Sequence, residues 1–188
     1  MYERAAVFLD LQGTLGGEGL GDIKHFTFFP SAIPAIKLLN DANLLAIVVT
    51  NQSHIAKGFF TFEYFSERME VLKNELYEGG ARLDAVYCCP HETQDNCSCE
   101  KPKPGMLLEA QKDFNLKLRS CYIVGDAGWD MGLIKTTGCN GVLVRTGLGE
   151  SSLGEYRHTW ENIEPDYIAD DILDAVRWII DDYRRVGK

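Results

Sequence analysis

The sequence predicts an α/β fold, a three-layer sandwich around a central parallel sheet. Three observations carry this. Short apolar runs alternate with longer segments of helical period, the pattern of βαβ units. Residues suited to chemistry follow the apolar runs directly, as they do at the carboxyl ends of parallel strands. The chain has 188 residues, 45% hydrophobic and 25% charged, which suits one domain over residues 1–188 with its own core.

The elements follow in order. Ala5-Ala6-Val7-Phe8-Leu9 reads as the first buried strand. Gly16 to Phe29 is glycine-rich with an aromatic cluster and reads as a loop folding over the sheet edge. Ile33, Ile36 and Leu39 form a helical stripe, with Ser31 as candidate N-cap and Pro34 in the first turn. Leu44 to Val49 is the second strand. Phe62, Phe65, Met69, Leu72 and Leu76 form the next helical stripe, stopped by Gly79-Gly80. Ala85-Val86-Tyr87, Cys121 to Val124 and Gly141 to Val144 are further strands. Met106 to Phe114 and Met131 to Thr137 are short helices, and Gly147 to Glu164 has no assignable period. Asp170 to Val186 is a terminal amphipathic helix, with Ile172, Val176, Ile179 and Ile180 on one side and a solvated acidic face on the other.

Composition excludes several classes. A net charge of -9 argues against non-specific nucleic-acid binding, so any anionic substrate must be drawn by a few local cations. The longest apolar run, Leu44 to Val49, is far below the ~20 residues of a membrane span. Strand character from Ala5 leaves no room for a signal peptide. Four of the six cysteines lie between Cys88 and Cys99, which in a cytoplasmic chain favours a metal over disulfides. The expectation is a cytoplasmic protein with no membrane or nucleic-acid partner, a monomer or small homo-oligomer.

The chemistry collects at the strand ends. Asp10 follows the first strand, and Gly13 permits a tight turn whose N–H groups would form an anion-binding concavity. A capping carboxylate is the plain alternative for Asp10 alone. Thr50-Asn51 closes the second strand with a hydroxyl and an amide able to hold a phosphoryl oxygen. Lys101 sits in Lys101-Pro102-Lys103-Pro104-Gly105, where the prolines stiffen the backbone and aim the ammonium. Asp126 and Asp130, with Asp10, make a hard oxygen site suited to Mg²⁺. Together these supply a nucleophile, oxyanion donors, a cation and a metal site, the parts a phosphoryl transfer needs.

This arrangement resembles the haloacid dehalogenase superfamily of phosphohydrolases. Its four ordered motifs match Asp10 to Leu15, Thr50, Lys101 in Lys-Pro-x-Pro, and Gly125-Asp126 with Asp130. The resemblance implies attack by Asp10 on phosphorus to give an aspartyl phosphate. Thr50 would bind a phosphoryl oxygen, and Lys101 would steady the phosphate and Asp10. Mg²⁺ would sit on Asp10, the backbone carbonyl of Gln12 and Asp126, with Asp130 in support.

The stretch Thr50 to Thr61 is similar to the Thr-Asn-Gln-Ser-Gly-Ile-Ala-Arg-Gly signature of the heptose bisphosphate and histidinol phosphate phosphatase group, and the expected fold has no large cap domain. That places Thr50, Asn51, Gln52, Ser53, Lys57 and Lys101 at the substrate. The Cys-rich loop 88–100 resembles the group's zinc loop. It also stands without the family: Cys89, His91, Cys97 and Cys99 give a Cys₃His set for a closed, structural Zn²⁺ site, against the plain alternative of reduced surface cysteines. Cys88 reads as core rather than ligand, and Cys121 and Cys139 as small core residues.

The pattern breaks at Gln12, where the superfamily's phosphatases carry the acid/base Asp. An amide can orient water but cannot exchange a proton, so help worth ~10²–10⁴-fold should be missing. Three explanations stay open: a natural loss leaving a weak phosphatase or a phosphometabolite-binding protein, another group such as His25 or His54 serving as acid and base, or an introduced change. At Glu100 the bisphosphate phosphatases commonly carry Arg, and Lys57 replaces another Arg, so a monophosphate substrate is expected. His25 reads as a loop residue under aromatic cover, His54 as a candidate near Thr50, and Trp129 as packing over the metal loop. The expected activity is Mg²⁺-dependent hydrolysis of a small phosphomonoester of the sugar-phosphate type, weakened by Gln12. The rival is an impaired homologue that binds such a metabolite.

Overall fold

A computed structural model describes residues 4–186. Its centre is a six-stranded, wholly parallel sheet in the order β3-β2-β1-β4-β5-β6. The strands are β1 (Ala6–Leu9), β2 (Leu45–Asn51), β3 (Ala85–Cys89), β4 (Tyr122–Gly125), β5 (Asn140–Val144) and β6 (Tyr167–Ala169). Helices α1 (Ala32–Asp41), α2 (Phe62–Glu78), α3 (Gly105–Phe114), α4 (Gly128–Thr137), α5 (Gly149–Leu153) and α6 (Ile172–Val186) connect and follow them.

Successive strand residues point to opposite faces, and both faces are apolar. Val7, Leu9, Ala46, Val48, Val124 and Val142 join a core with the inner sides of α1, α2 and α6. Ala6, Phe8, Ile47, Val49, Ile123 and Leu143 join a second core with α3 and α4. The three layers expected from the sequence are present. Each large side chain fully buried in these cores, such as Phe8 or Leu72, contributes about 1.5–3 kcal/mol relative to exposure.

Several boundaries differ from expectation. β3 runs on to Cys89, so one cysteine of the clustered set belongs to a sheet strand. β6 went unassigned because it has three residues at a sheet edge, too few to show a period. α5 forms within the stretch that showed no periodicity, and it is a single short turn. α4 begins at Gly128 rather than Met131, which puts Asp130 in its first turn. Ser31 stands at the N-cap of α1, but its side chain makes no cap bond, whereas the Thr61 hydroxyl accepts from the Tyr64 N–H at the start of α2. The 16–29 segment lies across the carboxyl ends of the strands rather than over an edge. It is pinned by an antiparallel bridge between Gly16 and Phe28 and by buried Ile23 and Phe26.

The order of strands reverses between β1 and β4. After β1 the chain builds outward through β2 and β3, then returns to lay β4 on the other side of β1. Such a switch point opens a crevice beyond the strand ends, where ligands of open α/β sheets bind. Among the described residues no helix is long and apolar enough to cross a membrane.

Candidate active site

Asp10 follows β1 and Asp126 follows β4, so the two carboxylates face each other across the switch point. Asp130 joins them from the first turn of α4, and carboxylate oxygens of the three lie within 4.8 Å of one another. Lys101 reaches in from the segment before α3. Its Nζ donates to Asp10 Oδ1 at 2.8 Å, Asp130 Oδ1 at 2.6 Å and the Val49 carbonyl at 3.0 Å. An ammonium has three protons to donate, and all three are used.

The electrostatics follow from burial. Burial alone would lower the lysine's proton affinity, but the charges of Asp10 and Asp130 outweigh it and hold Lys101 above the usual lysine range. Burial, then the charges of Asp10 and Asp130, push Asp126 up to about 8. Burial, opposed chiefly by Lys101, pushes Asp130 up to about 7. One ammonium does not balance three carboxylates, so the cluster favours a further cation.

Asp126 shows where that cation fits. Its Oδ2 accepts from the Leu148 N–H at 2.7 Å, while its buried Oδ1 has no hydrogen-bond partner among the described residues. An orphaned carboxylate oxygen this deep is costly unless something binds it. The surrounding space is kept by glycine. Gly13 has φ +79°, and a Cβ there would stand 1.9 Å from Asp126 Oδ2; at Gly147, φ +57°, the clearance would be 2.1 Å. These residues fit a hard divalent cation such as Mg²⁺.

Gln12 lies just beyond Asp10. Its Oε1 accepts from Gln52 Nε2 at 2.9 Å and from Thr50 Oγ1 at 3.3 Å, and Gln52 Nε2 also reaches Thr50 Oγ1 at 2.8 Å. Its own amide nitrogen approaches the Gly21 carbonyl at 3.4 Å. The amide oxygen is thus committed to the ends of β2.

A cavity of about 460 Å³ opens over this centre. Asp10, Gln12 and Lys101 reach its surface, whereas Thr50, Asp126 and Asp130 lie behind it. Asn51, Gln52, Ser53, His54 and Lys57 form one wall; Gly19, Leu20 and Gly21 another; Trp129 stands at the mouth, about one-third exposed. Trp129 therefore lines the cavity as well as covering the α4 turn. His25 is exposed in a surface turn and does not line the cavity, which removes it as a stand-in acid and corrects its expected aromatic cover. His54 does line it, packed edge-on against Phe59.

The remaining wall, with His91, Thr93 and Glu100, comes from the Cys-rich loop. Cys89, Cys97 and Cys99 sulfurs stand 3.2–3.6 Å apart, and His91 Nδ1 lies 3.3 Å from Cys99 Sγ and 3.7 Å from Cys89 Sγ. A tetrahedron with Zn–S bonds of about 2.3 Å has S···S edges of about 3.8 Å, so the four donors fit zinc after a small expansion. Cys97 tends towards the thiolate: burial acts upward, but the Glu100 N–H and the neighbouring donors bring it down to about 7. Cys88 points into the first core instead, and burial pushes it up to about 12.

The Thr146 to Leu148 turn was not anticipated from the sequence. Thr146 Oγ1 donates to the Gly13 carbonyl at 2.7 Å, and Leu148 N–H holds Asp126. The only local signal is Gly147 with its positive φ.

A HAD-hydrolase-like family profile matches residues 98–175. A D-glycero-β-D-manno-heptose-1,7-bisphosphate 7-phosphatase from Yersinia pestis is 38% identical over 166 residues, 82% of this chain and 88% of that one. A D-glycero-D-manno-heptose-1,7-bisphosphate 7-phosphatase from Thermosynechococcus vestitus is 34% identical over 194 residues, covering 94% and 95% of the two chains. The crystal structure of a D,D-heptose 1,7-bisphosphate phosphatase from B. bronchiseptica, complexed with magnesium and phosphate, superposes with a TM-score of 0.85 at 24% identity over 95% of this chain and 99% of that one. The chain belongs to the haloacid dehalogenase-like phosphatases, and it is an enzyme of that class. Within the class its similarity runs to the heptose bisphosphate phosphatases.

Proposed function

We propose that this protein hydrolyses a small phosphomonoester of the sugar-phosphate type, carrying one phosphate, through an aspartyl phosphate on Asp10. The observation that carries the reading is the buried ion cluster: Asp10 at the cavity surface, tied to Lys101, with Asp126 and Asp130 behind it. Asp10 forms the bond to phosphorus as the bond to the leaving alcohol breaks. Lys101 orients Asp10 through its 2.8 Å bond, Thr50 supports the phosphoryl oxygens from behind Gln12, and Gln52, Ser53 and Lys57 meet the substrate from the β2 side. Mg²⁺ held by Asp10, the Gln12 carbonyl and Asp126, with Asp130 in support, would neutralise charge on the transferring group.

Gln12 leaves the alcohol without a proton donor and the lytic water without a base, so turnover is slow. The same residue favours a second reading, a metabolite-binding homologue with little activity. Zinc in the Cys₃His loop is structural, because four protein ligands leave no open position. A thiol-rich metal loop also suits a reducing cytoplasm. About one zinc per chain is expected by elemental analysis, and Cys97→Ala with Cys99→Ala should remove it. Zinc retained by that double variant would rule the cluster out.

A single phosphate is favoured by the cavity's charges. Among the described residues Lys57 is the one lysine or arginine lining the cavity beside Lys101, and it lies 3.9 Å from Glu92. Glu100, held by the Thr93 hydroxyl at 2.7 Å, faces any second phosphate with like charge. A phosphate-release screen with Mg²⁺ over matched sugar mono- and bisphosphates tests this. Monophosphates should lead by at least ~10-fold in kcat/KM, about 1.4 kcal/mol, and Glu100→Arg should narrow the gap. A bisphosphate preference in the parent would overturn the monophosphate assignment, and no release from any ester would favour the binder.

A further inference from the structure

Lys101 needs its backbone held as firmly as its ammonium, and the local sequence supplies no ordinary means. It lies between Cys99 and Gly105 in a segment where Pro102 and Pro104 lack N–H groups and no strand pairs with it. Among the described residues, its main-chain N–H and C=O find one partner. The Lys101 N–H donates to Asn51 Oδ1 at 3.1 Å, and Asn51 Nδ2 donates to the Lys101 carbonyl at 3.4 Å. One side-chain amide thus imitates a strand neighbour, bridging the last residue of β2 to the segment that leaves the Cys-rich loop. Asn51 is itself fixed by register, opposite Cys89 of β3.

We propose that Asn51 is a positioning residue that acts through Lys101, setting where the ammonium stands between Asp10 and Asp130, and is not a phosphate ligand. The inference rests on the phosphatase reading above. Its oxygen and one of its two amide N–H groups are engaged with the lysine backbone, at 3.1 Å and 3.4 Å. Loosening it lets Nζ drift from the Asp10 oxygen while Gln52, Ser53 and Lys57 keep their places on the same cavity wall.

The test is a double-mutant cycle on the full chain with Mg²⁺, using p-nitrophenyl phosphate. Asn51→Ala should lower kcat by ~10–50-fold with KM and the inhibition constant of inorganic phosphate within ~3-fold of the parent. In a Lys101→Met background, Asn51→Ala should cost less than ~3-fold more, because residues acting as one unit are not additive. Should the alanine variant fail to unfold at the parent's temperature, the isosteric Asn51→Asp carries the same cycle. A rise in KM and in the phosphate constant with kcat held, or losses that multiply, would overturn the inference while leaving the phosphatase reading intact. A parent that releases no phosphate from any ester would instead sink that reading.

Discussion

Replacing Gln12 by aspartate is expected to raise steady-state turnover of p-nitrophenyl phosphate at least ~10-fold, the lower end of what a positioned acid/base supplies. p-Nitrophenolate leaves without protonation, so the first half of the reaction gains little. The second half, attack of water on the aspartyl phosphate, needs a proton acceptor, and the Gln12 amide is not one. The parent should therefore show a burst of p-nitrophenol near one per chain, followed by a slow phase. In Gln12→Asp the burst should vanish as hydrolysis catches up. Gln52 Nε2 and Thr50 Oγ1 point donors towards this position, and the aspartate, one methylene shorter, leaves room for the lytic water beside it. A variant no faster than its parent would mean that another group, with His54 the candidate on the cavity wall, already does this work.

The parts of this molecule that were legible in its sequence are those where one residue type answers one physical demand. Buried strands need unbroken apolar runs, and Val7 to Leu9 or Ile47 to Val49 cannot easily be anything else. A carboxylate after such a run is costly without a partner, which singled out Asp10 and Asp126, and flanking prolines marked Lys101, before their 116- and 91-residue separations from Asp10 closed in space. Close-spaced Cys and His announced in the same way the donor cluster that Cys89, His91, Cys97 and Cys99 form. Illegible features depend on backbone shape. The Thr146 to Leu148 turn holds Asp126 through the Leu148 backbone N–H, which any sequence could offer, and is tied to Gly13 by one hydroxyl that nothing in the sequence marks out. Asn51 looked like a ligand because amides bind phosphate as readily as they bind peptide groups; only the folded chain shows Lys101 beside it. β6 is short enough that pairing with β5 decides it, not propensity.

The largest loss is expected from Asp10→Asn, a fall in kcat/KM of ~10³-fold or more with no phosphoenzyme trapped on acid quench, as for removal of other covalent nucleophiles. The change is nearly isosteric, so the cavity should keep its shape. Its effect on stability should run the other way. Three carboxylates crowd around one ammonium, and the Asp10 charge is, after burial, the main influence driving Asp126 up to about 8. Without a divalent cation, removing one of those charges relieves like-charge repulsion, against the loss of one bond to Lys101, which keeps Asp130 and the Val49 carbonyl. In chelator the variant should thus unfold at a temperature equal to or above that of the parent, and added Mg²⁺ should stabilise the parent more than the variant. An inactive but unweakened protein is the signature of a site whose strain serves chemistry. Retention of a tenth or more of the parent's activity would place the nucleophile elsewhere. A sharp loss of stability in chelator would show that the Asp10 to Lys101 pair holds the fold rather than the reaction.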